Sequence, residues 1–137
     1  IAYSQYQQSQ RFVEAPAAAS ARWHVAATAA EFKQLLAQAP KGQKIIIDVY
    51  ADWCVACQPI EHRILKSATV QQALAPYYLI KLDLSHYDAT HQVLLNQWDI
   101  LGPPTYLFLD ASQQEIRGLR LTGAFTEAEL LAQLQRF

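Results

Sequence analysis

Residues 44–50 read KIIIDVY, a nearly unbroken apolar run that ends four residues before the first cysteine of the chain. A short run rich in β-branched residues and lacking alternation is the pattern of a strand covered on both faces, as in a parallel sheet between helices. The flanking sequence supplies the helices. Thr28-Ala-Ala-Glu31 has capping-box spacing ahead of Phe32, Leu35, Leu36 and Ala39, which predicts an amphipathic helix closed by Pro40 and Gly42. Trp23 to Val25 predicts a short strand before it. After the cysteines a helix is expected to start near Cys54 and run to about Lys66, then a shorter one over 70–75 ending at Pro76. A strand over 77–84 and a helix over 88–98 follow. Residues 105–110 and 115–123 read as a hairpin joined by the polar ASQQ, and Thr126 to Glu129 opens a terminal helix through Leu130, Leu131 and Leu134. Strands and helices alternate and an antiparallel pair closes the series, so the expected class is α/β: a central mixed sheet with helices on both faces.

Residues 1–20, rich in Gln, Ser and Ala and without sustained period, read as a largely disordered linker or tail, leaving 21–137 as one folded domain. The chain begins with Ile1 and its 137 residues include no Met, so it reads as a piece of a longer polypeptide. A net charge of −1 gives no footprint for nucleic acid. No apolar run approaches the roughly 18 residues needed to cross a bilayer.

Cys54 and Cys57, two residues apart in DWCVACQ, admit three readings. As a structural staple the pair closes too small a loop to remove much chain entropy. As half of a tetrahedral zinc site it lacks a second CxxC or an HxxxH pair, and His24, His62, His86 and His91 are scattered. As a redox pair beside a βαβ pattern it has the right spacing. A helix starting near Cys54 places that sulfur against free N–H groups, which favour the attacking thiolate, while Cys57 lies shielded one turn later.

Three further side chains attract attention on their own chemistry. Asp48, inside the apolar strand, carries a desolvation cost unless paired or protonated; a strand-end Asp bonded to backbone is the alternative. Glu61 falls one turn beyond Cys57, either turned towards the sulfurs or simply solvated. Together the two carboxylates would exchange protons with the thiols and disfavour a nearby thiolate. Val55 and Ala56 offer nothing to offset that, so a reducing protein is expected, with Cys54 less acidic than its helix position alone dictates. Pro59 is expected to make the helix start irregular.

IIIDVYADWCVAC, then ILGPPTYLFLD and TGAFTEAEL, resemble the thioredoxin superfamily over about residues 23–137. YADWCVAC, Glu61, VQQAL and LGPPT are most similar to the C-terminal periplasmic domain of the DsbD family of membrane thiol:disulfide interchange proteins. The resemblance implies a thioredoxin fold and a protein-disulfide reductase working through Cys54 and Cys57, with Asp48 and Glu61 as acid–base groups. It further implies a cis Pro104 facing the cysteines, with Trp53 and Pro103 at the partner-binding mouth, although a core tryptophan is the other reading of Trp53. Pro103 departs from the aliphatic residue expected there. Lys81 either reaches Asp48 or emerges at the strand's end. No cofactor or metal is implied. Electrons would arrive from a transmembrane domain of the same protein and pass to an immunoglobulin-like N-terminal domain in the periplasm. The rivals are a free-standing thioredoxin-like reductase and a metal-binding or structural module of the same fold.

Overall fold

The computed structural model describes residues 22–137; the expected tail over 1–20 lies outside them. Five strands form one mixed sheet in the order β1-β3-β2-β4-β5: β1 (Trp23–Ala26), β2 (Ile45–Tyr50), β3 (Tyr78–Asp83), β4 (Thr105–Leu109) and β5 (Leu121–Thr122). β3 runs parallel to both β1 and β2, whereas β4 is antiparallel to β2 and to β5. The helices are α1 (Ala29–Gln38), α2 (Cys57–Pro59), α3 (Ala68–Leu74), α4 (Ala89–Trp98) and α5 (Glu127–Arg136).

The central position of β2 explains its unbroken apolar sequence. Ile45, Ile47 and Val49 pack with α1 and α4, among Phe32, Leu94 and Leu95. Ile46 packs on the opposite face with Tyr106, Phe108 and residues of α3 and α5, including Val70, Leu74, Leu130 and Leu134. Both capping signals act as donors' partners: Thr28 Oγ1 accepts from Glu31 N–H, and Thr126 with Glu129 forms the reciprocal box. Glu31 returns its bond to the N–H of Ala27, one residue earlier than the motif predicts.

Two expectations need correction. The strand over 115–123 shrinks to Leu121–Thr122, with an isolated bridge from Glu115 to Leu109 and a 3₁₀ turn over Arg117–Leu119. Arg120 causes the bend: its guanidinium grips both oxygens of Glu115 and donates to the carbonyls of Trp98 and Asp99, capping the end of α4. The second correction is the helix after the cysteines. It begins at Cys57 rather than Cys54, and past Pro59 it widens into a π-helical turn, Ile60–Ile64. Pro59 has no N–H to donate to Val55, whose carbonyl takes Gln58 N–H instead, and Leu65 N–H bonds five residues back to Ile60.

Candidate functional site: a disulfide between an apolar cleft and a buried ionic group

Strand β2 delivers the chain to a tight turn in which Cys54 N–H donates to the carbonyl of Ala51. Cys54 and Cys57 are joined as a disulfide with their Cα atoms 5.3 Å apart. The late helix start still leaves an N–H at the first sulfur: Cys57 N–H donates to Cys54 Sγ at 3.1 Å. The contrast between an exposed and a shielded cysteine is smaller than expected, since Cys54 is 6% and Cys57 2% exposed. Surface access comes from their neighbours, because Trp53 and Val55 are 55% and 85% exposed. Cys54 therefore lies at the foot of an apolar step.

Trp53 and Pro103 line one cleft of about 240 Å³ together with Leu84, Tyr87, Leu101 and Gly102. The core reading of Trp53 is thus corrected to a surface one. The Pro103–Pro104 peptide is cis. Pro104 is buried, and its carbonyl accepts Gly123 N–H while Thr105 Oγ1 donates to Gly102, which ties the proline loop to the sheet's end.

Asp48 is the fourth of six residues in β2, not a strand end, and it is 3% exposed. Its cross-strand neighbours are Lys81 on β3 and Tyr106 on β4. Tyr106 Oη donates to Asp48 Oδ2 at 3.1 Å. Burial pushes the Asp48 carboxyl up to about 7; Lys81 pulls it down, the charge of Glu61 raises it, and the Tyr106 bond lowers it. The same burial, with Asp48 beside it, holds the Tyr106 phenol protonated well beyond its ordinary range.

Lys81 settles between the readings offered for it. Its ammonium is ion-paired with Glu61 Oε2, lies 4.9 Å from the Tyr50 ring centre and 5.9 Å from that of Trp23, and faces Asp48 across the strand pair. Glu61, on the π turn, is therefore held by Lys81 rather than solvated. Its other oxygen, Oε1, is buried without a protein partner. The structure thus brings Asp48, Lys81, Glu61 and Tyr106 into one group. The π turn that follows α2 carries Glu61 on from Cys57, and the turn that follows β2 leads from the strand of Asp48 to Cys54, so both connect the group to the disulfide through the chain. No hydrogen bond joins a carboxylate to a sulfur among the described residues.

Sequence reasoning overlooked Gln58, Tyr106 and Trp23. The Gln58 amide donates to the carbonyls of Asp52 and Cys54 and accepts from His62 Nε2, bracing the turn that presents Trp53. Its adjacency to the cysteine pair was the available signal; Tyr106 and Trp23 needed the strand register. His91 is a satisfied core histidine, its Nε2–H on the Ala27 carbonyl and its Nδ1 accepting from Asp88. Among the described residues no cluster of three metal-ligating side chains occurs.

The thioredoxin family model matches residues 24–136. Thiol:disulfide interchange protein DsbD of Klebsiella pneumoniae is 42% identical over 106 residues, 77% of this chain and 18% of that protein. DsbD 1 of Pseudomonas aeruginosa is 33% identical over 122 residues, 88% of this chain and 21% of the relative. The chain thus spans about a fifth of the length of the curated relatives it matches. Among solved structures, the reduced C-terminal domain of Neisseria meningitidis DsbD superimposes with a TM-score of 0.68 at 22% identity, covering 82% of this chain and 98% of that one. A thioredoxin from Thermus thermophilus gives 0.64 at 24% identity, covering 85% and 86%. At these identities the likeness is one of fold.

Proposed function

The chain belongs to the thioredoxin family as a thiol:disulfide oxidoreductase module, and we propose that it works in the reducing direction as the C-terminal domain of a DsbD-like membrane protein. The observation that carries this reading is the Cys54–Cys57 disulfide at a helix start whose next turn bears Glu61, in a chain with Asp48 buried on the adjoining strand. Negative charge on Asp48 and Glu61, offset in part by Lys81, disfavours a thiolate at the pair, so the dithiol form holds its electrons loosely.

In the proposed cycle the oxidised pair is first reduced by the transmembrane part of the same protein. Cys54 thiolate then attacks the partner's disulfide: a Cys54–partner S–S bond forms and the partner's own S–S bond breaks, its other sulfur leaving as thiolate. Cys57 gives its proton to Asp48 and attacks Cys54, which restores the internal disulfide and releases the partner's second thiolate; the two partner sulfurs are protonated. Trp53, Pro103 and the cis Pro104 form the mouth that receives the partner segment. The acceptor is a periplasmic immunoglobulin-like domain, and the module is placed in the periplasm. No helix among the described residues is long and apolar enough to cross a membrane.

A Cys57→Ala variant, treated with the oxidised candidate domain, tests the reading by accumulating a mixed disulfide through Cys54. Capture of the immunoglobulin-like domain supports it. A thiolate at Cys54 already formed at about pH 5 would overturn the reducing assignment.

A further inference from the structure

Trp53 is 55% exposed and makes no hydrogen bond of its own among the described residues. It takes one of the two central positions in the turn that Cys54 N–H closes on the Ala51 carbonyl. What holds it lies on either side. The Gln58 amide donates to the Asp52 carbonyl and to the Cys54 carbonyl, each at 3.2 Å, and so brackets Trp53. Gln58 Oε1 accepts from His62 Nε2 at 3.0 Å. One neutral side chain thus uses both of its N–H groups and its oxygen at once. On the other side Asp52 N–H donates to Ser85 Oγ at 2.9 Å, and Ser85 belongs to the loop whose Leu84 and Tyr87 line the cleft with Trp53. The two carbonyls depend on Gln58 unequally. Cys54 also accepts from Cys57 N–H at 3.1 Å, whereas the Asp52 carbonyl has no other protein donor among the described residues.

We infer that Gln58, its amide oriented by His62, is a positioning residue that holds Trp53 in place for a protein partner and leaves the reactivity of Cys54 almost untouched. The inference rests on the thiol-exchange reading above, which sets Trp53 at the mouth. A partner that covers the cleft binds the conformer in which the indole stands in one wall with Leu84 and Tyr87. Its apparent affinity falls in proportion to the fraction of molecules in that conformer. Gln58 keeps the fraction high, because its bond to the Asp52 carbonyl stops the Asp52–Trp53 peptide from turning and swinging the indole away. The His62 bond matters through the same amide. Without it the group is free to rotate its oxygen towards the two carbonyls, an arrangement that has no donor. A small disulfide needs only the Cys54 sulfur, and Cys54 stays fastened to Ala51 and Cys57 whether or not Gln58 is present.

The test follows single-turnover oxidation of the reduced full chain by insulin, a protein disulfide, and by dipyridyl disulfide, which does not span the cleft. Gln58→Met keeps the length of the side chain and removes its donors. Its second-order rate constant is expected to fall about fivefold with insulin and less than about twofold with the small disulfide. His62→Leu is expected to lose about twofold with insulin, and nothing further once Gln58 is already Met. Trp53→Ala is expected to slow insulin as well and to erase the effect of Gln58→Met, since the amide then has no indole to hold. Equal losses with both disulfides, or a Gln58→Met effect that persists undiminished beside Trp53→Ala, overturn the positioning role. So does a Trp53→Ala chain that matches the wild type with insulin. A wild-type dithiol that reduces neither disulfide overturns the redox reading instead.

Discussion

Two buried ionisable groups in this fold are treated in opposite ways. His91, 1% exposed, has both ring nitrogens engaged: one donates to Ala27 at 2.9 Å and the other accepts from Asp88 at 3.1 Å. It fastens α4 to the end of β1 and is chemically quiet. Asp48 and Glu61 share one lysine, one phenol and an orphaned oxygen. The fold satisfies this histidine fully and leaves one oxygen of Glu61 without a protein partner, within the group to which the proposed proton exchange is assigned.

Four substitutions probe that contrast, the largest effect first. Asp48→Asn should slow resolution of the mixed disulfide by about 10²-fold, the lower end for a lost general base. The same change should stabilise the protein above neutrality. Because the folded carboxyl titrates at about 7 against 3.8 in the unfolded chain, the native state binds the extra proton between those values. Stability therefore falls as pH rises through that window and is lowest above it, by an amount on the order of a few kcal/mol. Urea titrations at several pH values should show this slope in the wild type and its absence in Asp48→Asn. His91→Leu should do the reverse, costing about 2–3 kcal/mol by stranding a backbone donor and acceptor, with activity per folded molecule unchanged. If it impaired turnover, the division between the two groups would fail.

Lys81→Met leaves Glu61 without its cation and removes the charge that draws Asp48 down, so the Asp48 carboxyl should titrate higher still. A stability loss of about 2 kcal/mol is expected, with the rate profile displaced to higher pH. Tyr106→Phe is the mildest. It removes one hydrogen bond to Asp48, raising that carboxyl slightly, and should change stability by less than about 1 kcal/mol. NMR titration of the Asp48 carboxyl reads both shifts.

How much of this was written in the chain differs between its parts. The first four strands and the long helices could be placed from their apolar patterns, because β2 must be apolar on both faces and Thr28 and Thr126 satisfy helix N–H groups within a turn. The last strand could not, since its bend depends on Arg120 reaching the end of α4, twenty-odd residues away. The irregularity at Pro59 was legible, since a proline has no N–H to give, but the helix start after the cysteines was placed at Cys54 instead of Cys57 because the tight turn in which Cys54 N–H bonds the Ala51 carbonyl leaves no local signature.

The candidate site divides in the same manner. Cys54, Cys57 and the oddity of Asp48 are local facts, visible as a spacing and as a charge inside an apolar run. Which face Asp48 looks to, and that Lys81 and Tyr106 flank it there, follow from strand register, which sums interactions along whole strands. The Lys81–Glu61 pair joins a strand to a π turn. Local chemistry determines which residues react; long-range packing decides what surrounds them, because burial and dielectric belong to the assembled core rather than to any stretch of chain.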